Sequence, residues 1–425
     1  MKKIFYIILD GLGDLPHPDL DSKTPLESAF TPHLDKLAKE GKCGLLYPVG
    51  EPVAPESDTA VISLLSYKPA EHYTGRGPLE VVAENIDFKD GDLALRCNFA
   101  TISDDRKTIL DRRAGRNLTT EEAKALSDEL NEKLKLESAD FVFKNTIGHR
   151  AVLVIRSKKT KLSGFIENTD PAYKREGIIS VAKDKFENVI CESKPLEGFE
   201  NDIKAQEASK LLNEFTKKSI DILDKSQVNK ERRRKGLLPA NVILSRDAGS
   251  ELPKFTPLKE KLGLNFGCFV QMPVEKGIAI LTGMRIIEVP ILKDLVATYR
   301  SWAELAIKEI SNFDGLYIHI KGPDEPGHDG LPKKKKEIIE LIDKYFFEKI
   351  ISFVNKEEFV VCVTADHATP CLLKAHSSDP VPLLIWGKDI EPDSAKSFSE
   401  RECKEGALGI LKGFELLPFI SKLAK

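Results

Sequence analysis

The sequence predicts an α/β fold: a mostly parallel central sheet flanked by helices, with an α+β domain inserted between its two halves. Three observations carry this. Apolar runs of strand length (3–9, 43–49, 315–320, 358–364 and 381–386) stand at both ends of the chain, and they are continuous rather than alternating, as in strands buried on both faces. Amphipathic stretches at 31–41, 57–65 and 333–353 separate them, which gives the strand–helix alternation of a parallel sheet. The chain's 425 residues also exceed what one hydrophobic core usually serves.

The first strand stops at Asp10-Gly11-Leu12-Gly13-Asp14. Thr31-Pro32 then supplies an N-cap and a proline at the first helical position, and Leu34, Leu37 and Ala38 continue one apolar face until Gly41. The helix at 57–65 starts directly after Pro55-Glu56, which makes Ser57 an N-cap serine on local signals alone. The middle of the chain differs in character. It reads as strands at 92–101, 141–143 and 151–155 and helices at 120–136 and 207–223, the first helix opened by Thr119 or Thr120 with Glu121-Glu122 in the capping-box manner. The expected organisation is one domain from 1–87 and 241–425 and an inserted domain from 88–240.

With 64 basic and 67 acidic side chains the net charge is only −3, so no global field points to nucleic acid or an acidic membrane as partner. The basic runs 333–336 and 232–234 read as solvated faces. Lys2-Lys3 and the apolar run behind them are cut by Asp10, too early for a signal-peptide core, and no later run is long enough to span a bilayer. The seven cysteines are scattered and never paired as C-x-x-C, against a disulfide framework or a thiolate zinc site. A cytoplasmic protein is expected; oligomeric state is not legible.

Chemistry-bearing residues gather at strand ends, where open α/β sheets bind ligands. Asp10 follows the first strand; Asp324 and His328 follow the strand ending at Ile320; Asp366 and His367 follow the one ending at Thr364; His376 lies in the next loop. Taken singly, each aspartate is a turn or cap residue. As a set, mixed imidazole and carboxylate donors suit manganese or zinc, and paired ions are a common device for phosphoryl transfer.

That ordered set resembles the metal-site signature of the alkaline phosphatase superfamily. Ile8-Leu9-Asp10-Gly11-Leu12-Gly13-Asp14, Ser57-Asp58-Thr59-Ala60 and Gly75-Arg76-Gly77 are similar to the archaeal-type, 2,3-bisphosphoglycerate-independent phosphoglycerate mutases. The resemblance implies an alkaline phosphatase-like fold and two divalent ions (Mn, Mg, Zn or Co) with no bisphosphoglycerate. It implies one ion held by Asp10, Ser57, Asp366 and His367, the other by Asp324, His328 and His376, and Ser57 as the nucleophile that carries the phosphate. Lys321 joins Ser57 as a catalytic candidate. Arg76, Arg113, Arg116, His149, Arg150, Asp170 and Arg246 are candidate contacts for a small phosphorylated carboxylic acid, with the inserted domain as a substrate-orienting lid. The chain departs from the family at Asp247, where glycine is usual, and at Ile291-Leu292-Lys293-Asp294, where a glycine-rich run is usual. The alternatives are another phosphotransferase or metal-dependent phosphatase of the superfamily, and a non-catalytic metal-binding protein.

Overall fold

A computed structural model describes residues 1–51, 53–183 and 185–425. The chain forms two compact units, Met1–Tyr73 with Phe255–Lys425, and Thr74–Lys254. The sequence expectation set the junctions at 87/88 and 240/241. The second unit takes in more chain because the Arg76–Ala83 helix packs on the Leu93–Ile102 strand and the Val242–Gly249 strand pairs with that same strand.

The first unit is built on an eight-stranded sheet. Its spatial order is Arg285–Ile286, Phe266–Phe269, Gly315–Ile320, Lys3–Leu9, Phe359–Thr364, Val381–Trp386, Lys42–Tyr47 and Ile410–Lys412. Lys3–Leu9 lies at the centre, parallel to both neighbours, with Ile8 level with His319 on one side and Thr364 on the other. Val381–Trp386 runs antiparallel to both of its neighbours, so the sheet is mostly rather than wholly parallel. The register brings Asp10, Lys321 and Ala365 to the same sheet edge.

Two local expectations are modified. Thr31 makes no side-chain cap; the carboxylate of Asp343, far along the chain, accepts from the amides of His33 and Leu34 at 3.3 and 2.8 Å instead. The helical stretch at 333–353 is continuous but contains a π-helical segment, Asp343–Phe347. The basic runs are not uniformly solvated either. Lys335 is 0% exposed and Arg232 1% exposed, because positions 332, 335, 338, 339 and 342 form the buried stripe of their helix, while Arg232 donates to Glu122, Asn117 and the Ala114 and Leu238 carbonyls.

In the second unit a five-stranded sheet centres on Leu93–Ile102, every residue of which is buried. Helices Thr120–Lys133 and Ile203–Leu223 cover one face through Leu126, Leu130, Leu211, Leu212 and Phe215. Among the described residues no helix is long and apolar enough to cross a membrane.

Candidate active site

At the carboxyl edge of the first unit's sheet the strand-end residues converge. His328 Nε2 lies 3.4 Å and His376 Nε2 3.6 Å from Asp324 Oδ1, and the two ring nitrogens are 3.2 Å apart. His367 Nε2 lies 3.3 Å from Asp366 Oδ2, 3.5 Å from Asp10 Oδ1 and 3.2 Å from Ser57 Oγ. The His367 and His376 rings stack with centroids 3.7 Å apart, so the two groups adjoin.

Ser57 is the first residue of a helix whose N-cap is Glu56, not Ser57 itself, and its hydroxyl meets His367 Nε2. That hydroxyl lies at the positive end of the helix dipole, a favourable place for an anionic oxygen. The next residue is anchored: Asp58 accepts from the Tyr73 hydroxyl at 2.7 Å.

The imidazoles are oriented from behind. His376 Nδ1 contacts the Pro55 carbonyl at 2.9 Å, and His328 Nδ1 the Lys374 carbonyl at 3.2 Å. A carbonyl can only accept, so both rings carry a proton on Nδ1 and turn Nε2 toward each other and toward Asp324. Two ring nitrogens 3.2 Å apart need a proton or a metal cation between them. Asp10 Oδ1, Asp366 Oδ2 and His319 Nε2 are likewise buried without a hydrogen-bond partner among the described residues, and their ligand atoms fall within 4.8 Å of one another, as do those of Asp324, His367 and His376. Imidazole and carboxylate donors grouped in this way could hold divalent metal ions.

Lys321 reaches into the same centre, 3.1 Å from Asp10 Oδ2 and 2.6 Å from Glu275 Oε1. Burial disfavours its charge, but Asp10, Glu275 and Asp366 outweigh that and hold its pKa above the ordinary lysine value. Its charge is matched by these carboxylates.

The second unit holds a separate cationic cluster. Arg96 and Arg246 are level across paired strands, and Arg76 and Arg150 are close enough to act on them electrostatically. Burial first, then the Arg76 charge, lowers the Arg96 pKa. Arg246 lies over the Tyr173 ring at 3.8 Å. Arg96 Nε and Arg246 Nε and Nη1 have no hydrogen-bond partner among the described residues, although Glu80 and Asp247 stand 3.6 and 3.4 Å from their respective Nε atoms. Buried guanidinium donors left unmatched suit a carboxylate or phosphate. Burial, then Arg150 and Arg96, pushes the His149 pKa down to about 4, so its imidazole is neutral at neutral pH. Arg116 is exposed and Arg113 half-buried. Both oxygens of Asp170 are taken by Arg112, at 2.9 and 2.7 Å. Asp247 adopts φ +58°, the left-handed conformation that explains why glycine is usual there.

The family model for 2,3-bisphosphoglycerate-independent phosphoglycerate mutase matches residues 38–229. A protein of that name from Aeropyrum pernix is 44% identical over 424 residues, 98% of this chain and 98% of its own. The chain belongs to this family. The solved cofactor-independent phosphoglycerate mutase from Thermoplasma acidophilum is 31% identical with both chains wholly covered and a TM-score of 0.67. A solved Pyrococcus horikoshii protein is 30% identical, with 100% and 97% coverage and a TM-score of 0.80.

In each of the two units several residues escape a reading by strand ends. His319 sits inside a strand, 3.4 Å from Asp366 Oδ2, with Glu275 Oε1 3.6 Å behind its other nitrogen. Arg96 is an arginine in a wholly buried strand, which is itself a signal, and Arg112 lies beside two arginines singled out from the motif. Thr369 touches both His367 and Asp324.

Proposed function

We propose that the chain interconverts 3-phosphoglycerate and 2-phosphoglycerate without bisphosphoglycerate, with Ser57 carrying the phosphate between the two positions and two divalent ions at the centre. The observation that carries this reading is the Ser57 hydroxyl, 3.2 Å from His367 Nε2, whose ring nitrogen also faces Asp10 Oδ1 and Asp366 Oδ2, two buried oxygens without a hydrogen-bond partner among the described residues. Asp10, Ser57, Asp366 and His367 are assigned to one ion, Asp324, His328 and His376 to the other; manganese or zinc suits these donors best. Bound there, the ions lower the pKa of the serine hydroxyl and neutralise phosphate charge.

The chain's own residues supply the rest. Ser57 Oγ forms a bond to phosphorus as the ester bond to the substrate's 3-oxygen breaks, giving phosphoserine and glycerate, and the serine proton is matched by one delivered to the departing oxygen. After the glycerate turns, its 2-hydroxyl loses a proton, bonds to phosphorus and releases Ser57. Lys321 keeps a positive charge beside Asp10 throughout, which favours the anionic oxygens of the transferring group. The cluster of Arg76, Arg96, Arg150 and Arg246 is assigned the grip on the substrate's anionic groups, in the lid role the resemblance implies for the second unit, and Asp170 fixes Arg112. Seven unpaired thiols among the described residues support a reducing, cytoplasmic setting.

The test is an assay of metal-stripped protein with 3-phosphoglycerate, no added bisphosphoglycerate, and Mn, Mg, Zn or Co restored singly. Appearance of 2-phosphoglycerate with a phosphate label on Ser57 is expected, and Ser57→Ala should abolish both. Dominant release of free phosphate would replace the mutase with a phosphatase, and full activity in Ser57→Ala would remove the nucleophile.

A further inference from the structure

Thr369, in the loop after the Phe359–Thr364 strand, places its hydroxyl between the two groups of candidate ligands. The hydroxyl donates to Asp324 Oδ1 at 2.6 Å, and His367 Nδ1 lies 3.0 Å from the same hydroxyl oxygen. A hydroxyl has one proton. With that proton given to Asp324, the contact with His367 requires the imidazole to donate, so His367 carries its proton on Nδ1 and leaves the Nε2 lone pair facing Ser57, Asp366 and Asp10.

The chain holds this hydroxyl rigidly. Thr369 is 0% exposed; its amide donates to the Gly13 carbonyl at 2.9 Å, and its carbonyl accepts from the buried Lys335 ammonium at 3.0 Å. Lys335 also donates to the Gly13 carbonyl at 3.1 Å and to Asp14 Oδ2 at 2.8 Å, which ties the loop after Asp10 to the loop after His367. The helix bearing Asp324 and His328 packs directly on the same residue, since a Cβ built on Gly327 would stand 2.4 Å from the Thr369 carbonyl oxygen.

We propose that Thr369 is a positioning residue that couples the two cation sites. While Asp324 is held as an ionised ligand it accepts the threonine proton, and that hydrogen bond in turn fixes the His367 tautomer needed at the neighbouring site. Filling either site preorganises the other. The inference rests on the two-ion reading above but can fail separately from it.

The test titrates metal-stripped, full-length protein with Mn²⁺, reading heat and the free-ion EPR signal rather than turnover. The wild type should bind two ions, with the first favouring the second. Thr369→Val, equal in shape but without the hydroxyl, should weaken the His367 site roughly 10- to 100-fold and abolish the coupling, whereas Thr369→Ser should stay near wild type. Unchanged affinities in Thr369→Val, or equal loss in Thr369→Ser, would overturn the proposal while leaving the two sites intact. Fewer than two ions on the wild type would overturn both readings. Histidine nitrogen NMR of the unmutated, Zn²⁺-loaded protein gives a check independent of any variant: Nδ1–H on His367 supports the coupling, and Nε2–H refutes it.

Discussion

Loss of the Arg96 guanidinium would strike the cationic cluster at an Nε donor that no described residue satisfies. Its Nε is buried without a hydrogen-bond partner among the described residues, and Glu80 stands 3.6 Å away, beyond a hydrogen bond. A charged hydrogen bond to substrate contributes about 1.5–3 kcal/mol, so Arg96→Met should raise KM for 3-phosphoglycerate roughly tenfold or more and leave Mn²⁺ binding untouched. An unaltered KM would exclude Arg96 from substrate recognition. Glu400 offers a prediction in pH. It accepts from the Thr24 hydroxyl at 2.6 Å and the Asp14 amide at 3.3 Å, and burial, only partly offset by the Thr24 bond, raises its pKa from 4.5 to about 7. A carboxyl with a raised folded pKa binds its proton more tightly in the folded chain. Its contribution to stability is therefore whole below about pH 4.5 and lost as pH rises through 7. Glu400→Gln should unfold in urea with about 2–3 kcal/mol more stability than wild type near pH 8, and with almost no advantage near pH 4. An equal difference at both pH values would show that Glu400 does not titrate in this range.

Among the elements, the Pro332–Ile342 helix shows how a surface pattern can hide a buried ion pair. Its four consecutive lysines look alike, yet only Lys335 falls on the apolar stripe, where it meets Asp14 at 2.8 Å with both side chains 0% exposed. Breaking such a pair leaves a buried charge unmatched, at a cost of about 3–5 kcal/mol. Lys335→Met should lose that much in urea unfolding, while Lys334→Met, at a half-exposed lysine paired to the exposed Glu337, should change by less than about 0.5 kcal/mol. Equal effects would mean that the clamp contributes nothing. The same helix marks the limit of what the sequence alone conveys. Strand ends were legible because continuous apolar runs stop at a charged residue, as at Leu9-Asp10 and Ala365-Asp366, and the family motif then attached chemistry to them. His319, Thr369 and Lys335 were not, because each acts through a partner from a distant segment: Asp366, Asp324 and Asp14 respectively. Helical periodicity was a usable signal for Lys335. None existed for Thr369, a threonine in a loop until the fold sets Asp324 beside it. In the second unit the helices were visible from their stripes, but its boundary was not, since the strand pairing of Val242–Gly249 with Leu93–Ile102 is a contact across some 150 residues of chain.

For the whole molecule the near balance of 64 basic and 67 acidic groups conceals an uneven placement of charge. Among the described residues, Asp10 and Asp366 are buried together in the first unit, each with one oxygen lacking a hydrogen-bond partner, and Lys321 is the lysine matched to Asp10 and Glu275. Burying carboxylates without a matching cation is unfavourable, so the folded chain should gain more from divalent ions than the unfolded one can. By mass action each occupied site adds about 2.7 kcal/mol when the ion is at 100 times its Kd, so two sites should separate the chelated and Mn²⁺-saturated proteins by about 5 kcal/mol. The dependence on concentration is the sharper measurement. Unfolding free energy should rise with the logarithm of free Mn²⁺ at about 1.4 kcal/mol per decade for each ion bound, and therefore at about twice that slope across the range in which both sites are filling. A slope corresponding to one ion would leave one of the two groups of donors without a metal, and identical stability with chelator and with Mn²⁺ would leave both so; a slope of two ions, retained in Ser57→Ala, would show that the aspartates and imidazoles suffice to hold the ions without the serine hydroxyl.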